Sequence, residues 1–140
     1  MKKIKIGILG GSFDPAHKGH LAISKEALKK FKLRSVIWSI TNKNPFKKKS
    51  INDLKKRIAI CKKIIGKNKL IKVKYFEDII NSNRTADLID YLGKNKECEL
   101  FFLIGADNLI NLDFNLEIFI AISAFFLSAL CRSSSIACAR

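Results

Sequence analysis

The chain has 140 residues, 48% of them hydrophobic and 28% charged, with 27 basic against 12 acidic residues and a net charge of +15. That length and hydrophobic share fit one globular domain and exclude a disordered chain. The basic balance attracts polyanions. Yet lysine supplies 22 of the 27 basic residues, and they are spread from position 2 to 96. With neither an RNA-binding aromatic cluster nor zinc-finger spacing, the expectation is a solvated lysine surface and no nucleic-acid partner.

Lys3 to Leu9 alternates and then turns fully apolar, as a buried strand does. Gly10 to His20 follows as a glycine-rich turn, and Leu21 to Phe31 carries the apolar stripe of a helix on Leu21, Leu28 and Phe31. Ser35 to Ile40 reads as a second strand, and Asn42 to Ser50 as a lysine-bearing loop. Ser50 and Asp53 resemble a capping box. The helix after them places Ile51, Leu54, Ile58, Cys61 and Ile65 on one face and stops at Gly66. Leu70 to Tyr75 is a third strand. Thr85 is placed to cap a short helix containing Leu88, Ile89 and Leu92 and ending at Gly93. Glu99 to Ile104 is a fourth strand, followed by Gly105-Ala106-Asp107. Alternating strands and helices specify an α/β fold with a parallel sheet and flanking helices. Ligands in such sheets bind beyond the carboxyl ends of the strands, where both the glycine-rich turn and Gly105-Ala106-Asp107 fall.

The character of the chain changes after about residue 112. Residues 113–140 contain no lysine, and Ile118 to Cys131 is apolar except for Ser123 and Ser128. That run is too short for a membrane span, which needs about 20 apolar residues. A helix buried in the core or against a partner fits it. The preferred reading divides the chain into 1–112 and a divergent, frame-shifted tail at 113–140. The cysteines, Cys61, Cys98, Cys131 and Cys138, contain no C-x-x-C pair, so no metal site is expected. The Met1-Lys2-Lys3 start leads straight into a strand pattern without a signal peptide, which points to the cytoplasm and to reduced thiols.

The chemistry concentrates in Gly10-Gly11-Ser12-Phe13-Asp14-Pro15-Ala16-His17-Lys18-Gly19-His20. A strand–turn–helix junction aims backbone N–H groups and a helix dipole at one point, which suits a phosphate. His17 and His20, three residues apart, share a face of one helical turn and can address one anion together. Lys18 can add a point charge or stay solvated. Gly7-Ile8-Leu9-Gly10 has the wrong spacing for a dinucleotide fingerprint, and Gly66-Lys67-Asn68 fails as a P-loop, so hydride transfer and P-loop NTPase chemistry are set aside.

Gly10 to Leu21 resembles the HxGH signature of the nucleotidyltransferase superfamily, and most closely that of the nicotinate-nucleotide adenylyltransferases. The resemblance runs from about Met1 to Asn111. It implies a Rossmann-like nucleotidyltransferase fold, incomplete at the C-terminus, and adenylyl transfer from ATP, with its Mg²⁺, to nicotinate mononucleotide. It implies catalytic roles for His17 and His20 and ATP binding by Gly10, Gly11, Ser12, Phe13, His17, His20, Gly105 and Asp107. For Asp107 a helix N-cap is the structural alternative. Thr85-Ala86-Asp87-Leu88 resembles the family's T-x-D-[TS]-L element, with Arg84 where an aromatic is common. Asn42 to Lys47 loosely matches its Pro-Pro-His-[Lys/Arg] loop. Asn42, Lys47, Thr85 and Asp87 are thereby implied on the mononucleotide side. Trp38 reads as core.

The family's late I-S-S-T-x-[IV]-R motif has only a superficial echo, in the wrong order, in Arg132-Ser133-Ser134-Ser135-Ile136. The expectation is therefore low activity for the chain as it stands. Another small-molecule nucleotidyltransferase and an inactive nucleotide-binding remnant are the alternatives. No membrane partner is expected, and self-association is left open.

Overall fold

The computed structural model describes residues 2–42 and 53–104, with the backbone of 119–122. The elements run β1 (Ile4–Gly11), α1 (Lys18–Lys30), β2 (Ser35–Ile40), α2 (Leu54–Ile65), β3 (Ile71–Lys74), α3 (Glu77–Ile80), α4 (Thr85–Gly93), β4 (Cys98–Ile104) and β5 (Phe119–Ile122). The five strands form one sheet in the order β3-β2-β1-β4-β5, every neighbouring pair parallel. The chain lays strands outward from β1 to β3, then returns to place β4 on the other side of β1. That reversal opens a crevice beyond the carboxyl ends of β1 and β4.

The period-2 alternation of the strands divides the core into two layers. Leu9, Val36, Trp38, Ile40, Phe101 and Leu103 pack with Ala27 of α1 and with Cys61 and Ile65 of α2. Ile8, Ile37, Phe102 and Ile104 face the other way, against Phe76 and Leu88 of the α3–α4 side. Both faces of the sheet are covered, which is why its strands read as nearly continuous apolar runs.

Several boundaries differ from the sequence reading. β1 continues through Gly10 and Gly11, which stay in register with Ser39 and Ile40. The turn proper begins at Ser12. Helix α1 starts at Lys18, so His20 sits inside its first turn. Asp53 caps α2, its carboxylate accepting from the Lys56 N–H at 2.8 Å; Ser50 lies outside the described residues. Gly66 ends that helix with φ at 59°, a conformation open to glycine at no steric cost. Thr85 is the first residue of α4 rather than its cap; Arg84 holds the cap position without a side-chain bond. Helix α3 was not foreseen. Residues 119–122, inside the apolar run after residue 112 that also fits a buried helix by sequence, form a strand paired with β4.

Candidate active site

The first turn of α1 is closed by its own histidines. His17 is the N-cap, and its Nδ1 accepts from the Gly19 N–H at 3.1 Å. The His17 N–H in turn donates to Nδ1 of His20 at 3.2 Å. The pair reproduces the reciprocal logic of a capping box with two imidazoles in place of hydroxyl and carboxylate. Because each Nδ1 accepts, each ring carries its proton on Nε2, which leaves two N–H donors for a ligand. The ring centroids are 4.0 Å apart. No acidic residue occupies this first helical turn, so its positive dipole end is not offset locally. Lys18 is exposed beside the pair.

Gly19 is required by this geometry. A Cβ there would meet the His17 ring at 2.8 Å, so the cap ring lies against bare backbone. Burial foremost, reinforced by the neighbouring His17, lowers the His20 pKa from 6.5 to about 4. His20 is therefore a neutral donor near pH 7.

Three buried groups hold His20 from behind. Trp38 and Ser24 are both 0% exposed. The Trp38 Nε1–H donates to Ser24 Oγ at 2.7 Å, and Ser24 Oγ donates to the His20 carbonyl at 2.8 Å. Phe13 stacks on Trp38 with centroids 5.0 Å apart and 15° between planes, and its ring lies 4.8 Å from that of His20. Phe13 reaches this position with φ at 48°, a left-handed conformation that is strained for a bulky residue. Packing of a ring only 2% exposed offsets the strain.

A second cluster joins the ends of β1 and β2. Arg57, 1% exposed on α2, donates from Nη1 to the carbonyls of Ser12 and Thr41, each at 2.7 Å, and from Nη2 to that of Asn42 at 2.9 Å. The Thr41 N–H donates to the Gly11 carbonyl at 3.0 Å, and the Asn42 N–H to Glu77 Oε1 at 3.0 Å.

The sequence-expected residues thus separate into groups. Gly10, Gly11, Ser12, Phe13, His17 and His20 meet at the carboxyl end of β1, with Asn42 tied to them through Arg57. Thr85 and Asp87 stand in the first turn of α4, on the opposite face of the sheet from α1. Asp87 there accepts from the Ser82 hydroxyl, whose oxygen also accepts from the Arg84 N–H at 3.1 Å, so the carboxylate already stabilises the entry to α4. Lys47, Gly105 and Asp107 lie outside the described residues. Trp38 is core, as expected, and also backs the site. Arg57 and Ser24 were missed. Each carried a signal, since each is a polar residue on the apolar stripe of its helix: Arg57 between Leu54 and Cys61, Ser24 between Leu21 and Leu28. Among the described residues no group of three or more His, Cys, Asp or Glu could hold a metal ion.

Known proteins resemble this chain in sequence and in fold. A "Probable nicotinate-nucleotide adenylyltransferase" of Pelagibacter ubique is 63% identical over 110 residues, covering 79% of this chain and 61% of the relative. One of Bradyrhizobium is 39% identical over 108 residues, covering 76% and 56%. The chain therefore spans about three-fifths of the length of these relatives. Among solved structures, the Plasmodium falciparum nicotinic acid mononucleotide adenylyltransferase in complex with NaAD superposes with a TM-score of 0.64 at 20% identity, over 77% of this chain and 55% of that one; at that identity the likeness is one of fold. The model of the cytidylyltransferase-like family matches residues 8–121, which take in the second half of β1, the paired histidines, Arg57 and most of β5; the chain belongs to that family.

Proposed function

We propose that this chain transfers the adenylyl group of ATP to nicotinate mononucleotide, forming deamido-NAD and pyrophosphate, in the biosynthesis of NAD. The observation that carries the reading is the His17–His20 pair, whose Nδ1 atoms are both occupied by backbone N–H groups and whose Nε2–H donors have no partner among the described residues, at an acid-free helix start beyond the end of β1. The names of the sequence relatives supply the substrate pair, and the NaAD in the Plasmodium structure is of the product class.

A phosphate oxygen of the mononucleotide attacks the α-phosphorus of ATP; the bond from that phosphorus to the β-bridging oxygen breaks, and pyrophosphate leaves with the electron pair. The nucleophile is already an anion, so no general base is required. The work is positioning and charge stabilisation. His17 and His20 donate to phosphate oxygens as negative charge grows, and neutrality spares His20 the cost of desolvating a cation. Gly10 to Phe13 line the ATP side, with Gly105 and Asp107 assigned to the nucleoside. Asn42, Lys47, Thr85 and Asp87 are assigned to the mononucleotide. Mg²⁺ enters with the ATP phosphates as part of the substrate. No helix of the described residues is long and apolar enough to cross a membrane, and we place the reaction in the cytoplasm.

The test supplies the purified chain with ATP, Mg²⁺ and nicotinate mononucleotide and follows pyrophosphate and dinucleotide together. Equimolar release of both, saturable in each substrate, supports the reading at whatever rate it occurs. Preference for a different phosphate acceptor, or for CTP over ATP, sinks it.

A further inference from the structure

We propose that Arg57 is the positioning residue that aligns the two substrates by locking the end of β1 to the end of β2; this rests on the adenylyl-transfer reading above. The guanidinium is 1% exposed, and its three bonds all go to main-chain carbonyls: Ser12 from the turn that leads to the histidines, and Thr41 and Asn42 from the segment after β2. Its Nε is buried without a hydrogen-bond partner among the described residues.

A buried cation is costly without full compensation. It occupies a position on the apolar stripe of α2, between Leu54 and Cys61, that an aliphatic residue would fill. An aliphatic side chain could not bond two chain segments at once. The planar fork of arginine can, and the single ammonium of lysine cannot reach three carbonyls in that fan. Both segments lie at the sheet edge where ligands bind, one on the ATP side and one on the mononucleotide side. Arg57 touches neither substrate. It fixes the distance between the surfaces that hold them, so its effect falls on the reacting geometry rather than on the affinity of either ligand.

The experiment compares the full chain with Arg57→Lys in three measurements. Calorimetry gives the dissociation constants for ATP alone and nicotinate mononucleotide alone; both should stay within about threefold of wild type, as expected for a group that contacts neither ligand. Turnover should fall by about 10²-fold, the scale of an ångström-sized misalignment. Amide exchange should quicken at Thr41 and Asn42 while that of Phe31, bonded to Ala27 in α1, stays unchanged. Unchanged turnover and exchange overturn the proposal, and so do dissociation constants that weaken as much as turnover falls. If the wild-type chain does not use nicotinate mononucleotide, the proposed function fails, and the exchange measurement still decides the locking role. Arg57→Gln, which keeps a planar donor, is taken through thermal unfolding alongside; loss of the folded state in both variants overturns the proposal by assigning Arg57 to the core.

Discussion

The connection from β1 to α1 and the segment that leaves β2 reach the same edge of the sheet, and they are held in opposite ways. The first is closed at its helix start by its own residues, although Arg57 also bonds the Ser12 carbonyl. His17 and His20 satisfy each other's backbone across three residues, and Gly19 clears the space. The second is held from a distance. Thr41 and Asn42 are bonded by Gly11, Glu77 and Arg57, which come from three other elements. The helix cap closes whenever its helix forms, while Ser12 and Phe13 before it lean on Arg57 and Trp38. A segment tied by remote groups keeps its shape only when the whole domain is folded. On the proposed function, the charge-stabilising donors belong to the first half and the alignment of the second substrate to the second.

The comparison breaks most sharply at His20. His20→Ala should lower turnover by about 10²–10³-fold, the usual loss for a donor acting mainly in the transition state, with a smaller effect on ATP affinity. Steady-state kinetics alongside ATP calorimetry decide it, and equal losses in both would make His20 structural. Gly19→Ala sharpens the point at the neighbouring position. The new methyl displaces the His17 ring, so turnover should fall by up to about 10²-fold. Stability should stay within about 1 kcal/mol of wild type, because the lost cap is offset by the better helix propensity of alanine. A variant of unchanged activity would show that the His17 ring can move without consequence.

Ser24→Ala probes the support behind the turn. It leaves the fully buried Trp38 N–H without its acceptor and should cost about 1–3 kcal/mol in chemical denaturation. A smaller change would mean that another acceptor or a water replaces the hydroxyl. The weakest effect is that of pH. His20 titrates near 4 folded and near 6.5 unfolded. The unfolded chain therefore binds more protons between those values, and stability rises with pH across that window. This contribution is absent above about pH 6.5 and fully destabilising below about pH 4. The side chain is only half-buried, so solvent screening makes the effect modest. Denaturation midpoints of wild type and His20→Gln across the window should converge toward acid; parallel curves would contradict the lowered pKa.

What could be read from the chain follows the same division. The β1–α1 site is local, so eleven consecutive residues announced it, and strand periodicity announced four of the strands. The parallel order followed from the alternation of strands and helices. The continuation of β1 through Gly10 and Gly11 was hidden because glycine signals a turn, while pairing with Ser39 and Ile40 kept the ladder going. Thr85 looked like a cap, but propensity alone cannot tell a capping residue from the first residue of a helix. The strain at Phe13 has no sequence signature, since it is stabilised by the Trp38 face that receives the ring. Arg57 was lost among lysines because exposed and buried cations are written alike; only its place on the apolar stripe distinguishes it.

The burial of Trp38 has an optical consequence. It is the only indole in the chain, and it stacks on Phe13 with its centroid 5.9 Å from that of His20. All tryptophan emission therefore originates at the back wall of the site, from a ring shielded from water. A protonated imidazole quenches an adjacent indole more strongly than a neutral one, so the emission intensity follows the charge of His20 directly. Any ligand that moves Phe13 or engages His20 alters the same signal. The protein carries a built-in reporter, placed by its fold against the groups whose chemistry is in question.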